Sequence, residues 1–193
     1  MKVTKAQAQA NRAHIVETAS TLFRERGYDG VGVADLMAAA GFTHGGFYKH
    51  FGSKADLMAE AAACGLTSSA AAVADLDVQT FVSEYLSRAH RDGPGQGCTL
   101  AALCTDAARQ TDAVKAAFAA GIEARLATRA TQEGQAQRDL DDAARARRIA
   151  LMAQAVGALV LSRSCPDESP LADEILDACR ADLLTRLPGA SSR

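Results

Sequence analysis

No stretch of this chain alternates apolar and β-branched residues for longer than Val31-Gly32-Val33, and that run is only three residues. A strand that buries one face needs roughly four to eight alternating positions. The chain must therefore bury its apolar residues on helices, and its abundant alanine suits that. Its punctuation has an order. All four prolines (Pro94, Pro166, Pro170, Pro188) lie beyond residue 93, while glycine divides the earlier part at Gly27, Gly30, Gly32, Gly41, Gly45, Gly46 and Gly52. Short helices come first and longer ones after.

The first helix is expected to begin near Thr4, which has capping-box spacing to Gln7, and to end at Gly27. Ile15, Ala19, Leu22 and Phe23 form its apolar stripe. A short helix over 33–40 follows, closed by Gly41 in the left-handed conformation. Thr43 stands where it can cap a helix over 44–51, with Phe47 and Phe51 inward one turn apart. Ser53 with Asp56 opens the next helix, which runs to about Ala74. Further helices are expected over 78–90, 99–110, 112–131, 139–163 and 169–187.

Composition removes several classes. The 193 residues carry a net charge of -2, are 48% apolar and 23% charged, and so describe neither a polycation nor a disordered chain. The opening MKVTKAQAQANRAH lacks the apolar core of a signal peptide. The longest uncharged apolar run, 149–162, includes Gln154 and is too short for a bilayer, so a cytoplasmic protein without a membrane partner is expected. Cys64, Cys98, Cys104, Cys165 and Cys179 are odd in number and form no C-x-x-C pair, which reads as reduced thiols. Neither cysteines nor histidines have zinc-ligand spacing, and no cofactor or metal is expected. His14 and His90 read as ordinary surface histidines. Between Arg138 and Arg148, acids (Asp139, Asp141, Asp142) precede cations (Arg145, Arg147, Arg148), the order of a helix start with a solvated face. The Gly93–Gly97 loop has Cys98 where a phosphate loop needs its third glycine, and no strand precedes it. With no G-x-S-x-G or H-E-x-x-H, no catalytic residues are assigned and a small helical enzyme is only a remote alternative.

Chemistry concentrates in one place. Two short helices meeting across Ala40-Gly41-Phe42-Thr43 have helix-turn-helix spacing. With Phe47 and Phe51 inward, the second helix turns His44, Gly45, Gly46, Tyr48, Lys49 and His50 elsewhere. A face of glycine, cation and hydrogen-bonding aromatic suits a DNA groove, where glycine lets backbone approach phosphate and Lys49 meets guanine or phosphate. Lys54, in the first turn of the next helix, is placed for the same backbone. Residues 1–58 carry seven cations against five acids, a small surplus that favours nucleic acid only weakly.

The run Gly27-Tyr28-Asp29-Gly30, then Asp35-Leu36, then Ala39 through Leu57 with its Phe-Tyr-Lys-His-Phe-Gly-Ser-Lys, resembles the N-terminal signature of the TetR/AcrR (tetracycline-repressor-like) transcription factors. The resemblance covers about the first third of the chain. It implies an all-α protein with a three-helix helix-turn-helix DNA-binding domain at 1–52 (contacts extending to about 58) and a helical effector-binding and dimerisation domain at 53–193. It places Tyr48, His50 and Lys54 at phosphates and Thr43, His44, Gly46 and Lys49 in the major groove. Gly45 lies on the same DNA-facing side. Three departures stand out. The usual hydroxyl cap of the first short helix is missing at Val31 and Gly32, Ala34 cannot donate to a base, and Gly46 replaces the family's usual hydroxyl residue, which removes one phosphate donor.

The resemblance further implies a homodimer on a quasi-palindromic operator, acting as a repressor and released by a small-molecule effector. Dimerisation falls to the last two helices, through Leu151, Ala155, Ala158, Ile175, Cys179 and Leu183. Helix order puts Leu86, Cys104, Phe118 and Met152 at the effector pocket. A thiol-based redox sensor using Cys98 or Cys104 is the alternative trigger.

Overall fold

The computed structural model describes residues 4–132 and 142–187, and among them every regular element is helical. The α-helices are α1 (Lys5–Arg26), α2 (Val33–Ala39), α3 (Lys54–Ala71), α4 (Val78–Tyr85), α5 (Arg88–Asp92), α6 (Thr99–Ala107), α7 (Asp112–Gln132), α8 (Asp142–Arg163) and α9 (Pro170–Thr185). Two 3-10 turns, His44–Lys49 and Pro94–Gln96, complete them. Residues 139–141 of the expected helix start lie outside the described residues. No helix among the described residues is long and apolar enough to cross a membrane.

The chain forms two compact units. The first runs to Ser69 and also takes in Cys98–Gly121; the second combines Ala70–Gly97 with the residues from Ile122 on. This division differs from a boundary after residue 52, because most of α3 and all of α6 belong with the first unit.

In the first unit, α1 starts where Thr4 Oγ1 accepts from the Gln7 N–H at 3.1 Å. Gln7 does not complete a box; its amide donates to Asn11 at 2.8 Å. The helix ends at Gly27, whose N–H donates to the Phe23 carbonyl at 2.8 Å with φ at 73° and ψ at 168°. That backbone region is essentially reserved for glycine. A Cβ there would also lie 2.7 Å from Asp106 Oδ2. The same carboxylate accepts from the Tyr28 N–H at 3.1 Å and, through its other oxygen, from Arg109 at 2.8 Å, so α6 is tied to the end of α1. Tyr28 is fully buried, edge-on to Phe23 with centroids 5.0 Å apart, and burial raises its hydroxyl pKa above the ordinary value. Gly32 does serve as the N-cap of α2: lacking a side chain, it instead donates its N–H to Asp35 at 3.2 Å.

In the second unit, the helix expected over 78–90 breaks. Leu86 leaves helical geometry with ψ at 48°, and Ser87 starts α5 afresh by accepting from the His90 N–H at 3.2 Å. Arg91 is only 4% exposed, and every part of its guanidinium is engaged. It donates to the Ser162 carbonyl and hydroxyl, to Asp92 and Asp167, and to the Cys165 carbonyl. Arg163 answers from α8 by donating to the carbonyls of His90 and Arg91 at 2.8 and 2.9 Å. Helices α8 and α9 run antiparallel, since Gln154 reaches Asp182 at 2.6 Å and Ser162 reaches the Ala172 carbonyl at 2.8 Å. His90 is not a surface residue: Nδ1 bonds the Tyr85 carbonyl at 2.7 Å and its ring packs edge-on to Tyr85. Burial lowers its pKa, with Arg163 and Arg125 adding to that effect, while the Tyr85 carbonyl bond opposes it.

Two outcomes are expected. Gly27→Ala forces a side chain into glycine-only backbone against Asp106 and should lose about 1–3 kcal/mol in denaturant unfolding. Because His90 titrates lower in the folded chain, its contribution is complete above the ordinary histidine value of about 6.5 and is lost as pH falls through the lowered one. Unfolding midpoints measured across that window should fall, and less steeply in His90→Gln.

Candidate nucleic-acid interface

The turn after α2 is a 3-10 helix, not the α-helix expected over 44–51. Six residues that include two adjacent glycines are poor material for an α-helix, and short runs adopt the tighter form readily. Thr43 occupies the N-cap position with extended backbone, but its side chain makes no cap bond; the Gly46 N–H donates to the Thr43 carbonyl at 3.0 Å instead. Phe47 is completely buried and Phe51 is 3% exposed, with ring centroids 5.4 Å apart. That packing fixes the phase of the turn. At three residues per turn, Gly45 shares a row with Tyr48, and Gly46 shares one with Lys49.

Those rows face outward. Tyr48 is 71% exposed, the most exposed large hydrophobic side chain among the described residues, and Thr43, His44, Gly45 and Lys49 are exposed beside it. Gly46 and His50 are half-buried. A Cβ on Gly45 would meet nothing within 4 Å, and one on Gly46 only ordinary contacts with Met37 and Thr43. The fold therefore does not require glycine at either place. Ala34, on α2, is exposed.

The far end of the turn is clamped from α1. Arg12 forms a two-pronged ion pair with Glu60 of α3, donates to the His50 carbonyl at 3.2 Å, and lies 4.7 Å from the centroid of the Phe51 ring. Nothing in the sequence motif flagged Arg12, because its partners lie 38 and 48 residues away. Lys54 is less free than its position in the chain suggested. It is half-buried and its ammonium donates to the Tyr28 carbonyl at 2.6 Å, which leaves at most two of its three donors.

The second unit holds a cavity of about 510 Å³, within the range of small-molecule sites. Of the four residues expected at a pocket, Met152 lines it. Leu86 does not; it is fully buried at the break between α4 and α5. Cys104 and Phe118 belong to the first unit. Of the expected dimer residues, Ala155, Ala158 and Leu183 are buried within the chain, with Ala155 and Leu183 at the cavity wall. Leu151, also at that wall, Ile175 and Cys179 are half-buried. The large apolar side chains that α8 and α9 leave exposed are Ile149, Leu161 and Leu171.

Arg148 corrects the reading of a solvated cationic face: it is 7% exposed and lines the cavity, as does Arg125 of α7. The missed signal was spacing. Arg148, Leu151, Met152, Ala155 and Val156 recur at i, i+3, i+4, i+7 and i+8, which is one face of a helix.

Among the described residues, then, helix-turn-helix geometry sits on a framework whose regular elements are all helical. Residues 15–61 match the family model described as bacterial regulatory proteins, tetR family. HTH-type transcriptional regulator AcrR of Shigella flexneri is 40% identical over 57 residues, 30% of this chain and 26% of AcrR. The chain thus spans about a quarter of the length of the curated relatives it matches. Over residues 15–61, then, the chain is similar to the tetR family of bacterial regulatory proteins. A transcriptional regulator of the TetR family from Agrobacterium tumefaciens superimposes with TM-score 0.69 at 21% identity, over 93% of this chain and 98% of that one. AibR, solved in complex with isovaleryl coenzyme A and operator DNA, does so with TM-score 0.52 at 18% identity, over 89% and 97%. At such identities these structures establish the fold.

Phe47→Ala should cost about 3–5 kcal/mol of stability. Tyr48→Ala and Lys49→Ala should stay within about 0.5 kcal/mol, and Gly45→Ala should be neutral or slightly stabilising. Chemical denaturation of the four variants checks the assignment of inward and outward faces.

Proposed function

We propose that the protein is a ligand-responsive transcriptional regulator, a repressor, that binds a quasi-palindromic DNA operator as a homodimer and is released by a small-molecule effector. One observation carries the reading: the 44–49 turn buries its phenylalanine and presents Tyr48, Lys49 and two glycines whose missing side chains the fold does not need. A duplex supplies the requirement that the fold does not. Gly45 and Gly46 let backbone approach phosphate, and Tyr48, His50 and the remaining donors of Lys54 hold it. Thr43, His44 and Lys49 lie at base edges in the major groove. AibR, which shares the fold, was solved with operator DNA, and that supports DNA as the partner.

The dimer is attributed to α8 and α9 through their exposed Leu161 and Leu171 together with half-buried Ile175 and Cys179. A two-fold pair would set two such turns about one DNA turn apart, roughly 34–36 Å, or somewhat more. The effector site is attributed to the cavity of the second unit. A ligand there releases DNA only by binding the DNA-incompetent state more tightly.

The thiol trigger is less well supported. Cys98 is 4% exposed, and burial with the neighbouring Cys98 pushes the Cys104 thiol up to about 11. An oxidant-sensing cysteine needs an accessible thiolate.

The test begins with selection of bound sequences from a random duplex pool, followed by titration of the recovered DNA. A palindromic site bound by two chains, with affinity falling steeply with salt, is expected. Lys49→Ala should weaken binding to that site by about 1–3 kcal/mol with relaxed specificity at one base pair. Gly45→Ala should weaken it while leaving stability intact. A chain that selects no sequence, or Gly45→Ala and Lys49→Ala variants that bind like the parent, would overturn the reading.

A further inference from the structure

We infer that Thr43 selects a thymine in each half of the operator, its methyl packed on the thymine C5-methyl and its hydroxyl donating to O4. The inference deepens the reading of the 44–49 turn as a DNA interface and rests on it. The helix-turn-helix segment lacks one kind of side chain: from Gly27 to Val78 there is no arginine, asparagine or glutamine. Those are the planar groups that pair bidentately with purines, arginine with guanine and the two amides with adenine. Arg12, which reaches the turn from α1, is already engaged with Glu60 and the His50 carbonyl. The outward side chains of α2 add no donor. Ala34, Ala38 and Ala39 expose only methyls, and the Asp35 carboxylate accepts from the Gly32 N–H at 3.2 Å. Base reading is left to Thr43, His44 and Lys49.

Geometry singles out Thr43. At three residues per turn, Thr43, Gly46 and Lys49 fall on one row, and the Gly46 N–H donates to the Thr43 carbonyl at 3.0 Å. Thr43 is exposed, and its hydroxyl makes no cap bond. That oxygen lies 3.9 Å from where a Gly46 Cβ would stand, while the Thr43 methyl does not come within 4 Å of that point. The hydroxyl therefore overhangs the gap that glycine leaves, and the methyl stands beside it on the other branch of Cβ. At about 2.0 Å per residue, Thr43 and Lys49 are roughly 12 Å apart along the row, about three to four base-pair steps of a duplex.

Thymine is the base that shows an acceptor and a methyl together in the major groove. Cytosine shows an amino donor there, and the purines show N7 with either a carbonyl or an amino group. Threonine carries the matching pair, a donor beside a methyl. A hydroxyl alone donates or accepts and so serves any base. The methyl supplies the choice, because only thymine offers it an apolar group to cover. Lys49 is a point charge that tells acceptors from donors and is blind to a methyl.

The test uses the full chain and the duplex recovered by selection from a random pool. Each thymine is replaced in turn, in both halves, by deoxyuridine, which removes the C5-methyl alone, and affinity is read by fluorescence anisotropy. At one position per half-site the change should cost about fourfold per methyl. That position should lie within about four base pairs of the one whose specificity relaxes in Lys49→Ala. Thr43→Ser should bind the thymine and uracil duplexes alike there, which separates a lost contact from any effect of uracil on the duplex itself. Thr43→Val should keep the preference for thymine yet bind the site more weakly than the parent. Thermal melts confirm that both variants are folded. Three results would each overturn the inference: no uracil-sensitive position within that distance, sensitivity that survives in Thr43→Ser, or a Thr43→Val chain that loses the preference or binds as tightly as the parent. A folded chain that recovers no site ends both readings together. A recovered site indifferent to uracil ends this one and leaves the DNA interface standing.

Discussion

Burial of Phe47 against Phe51 is the constraint on which the outward geometry of the 44–49 turn depends. A six-residue 3-10 turn is too short to hold itself together by its own hydrogen bonds. Its orientation must come from tertiary packing, and one aromatic side chain pushed into the core sets the angle of every other residue on it. The clamp from Arg12 works on the other end, fixing the carbonyl of His50 and covering the Phe51 ring. Tyr48 and Lys49 are thus pre-positioned by the packing of their neighbours, and their side chains stay exposed. Pre-ordering of this kind reduces the entropy lost on association.

How much of this was legible depended on the range of the interactions. Local signals were readable: Thr4 and Ser53 accept from the N–H groups three residues on, and Gly41 takes positive φ. The inward pair Phe47 and Phe51 was readable because adjacent phenylalanine and glycine positions left one consistent face. The 3-10 form of the turn was not, since α and 3-10 geometry differ by a fraction of a residue per turn and the motif satisfies both. Nor was the break at Leu86, where Ser87 offers a cap inside an otherwise continuous apolar pattern.

Long-range pairings left the largest gaps. Asp106 is 78 residues from Tyr28, and only the fold reveals that α6 joins the first unit through that bond. Arg148 was misread for a related reason. A run of arginines after a cluster of acids looks solvated, and charge order alone does not say which cation turns inward. The helical period from Arg148 to Val156 does, once the apolar members are taken as the reference face. Cys104 and Phe118, expected at a pocket by helix order, lie in the first unit and not at the cavity of the second, because order along the chain does not follow membership of a unit when the first unit recruits a later segment.

The make-up of the cavity wall bears on how a ligand could act as a switch. A guest moves a two-state equilibrium only by the difference in its affinity for the two states. Apolar burial scales with area and changes little when a helix shifts by a fraction of an ångström. A bidentate contact between a guanidinium and a carboxylate depends on distance and on alignment of two hydrogen bonds, and it weakens steeply with such a shift. The cavity is lined from several helices, so a guest that touched polar groups on two of them would draw most of its affinity from the apolar walls and most of its discrimination between states from the polar contacts.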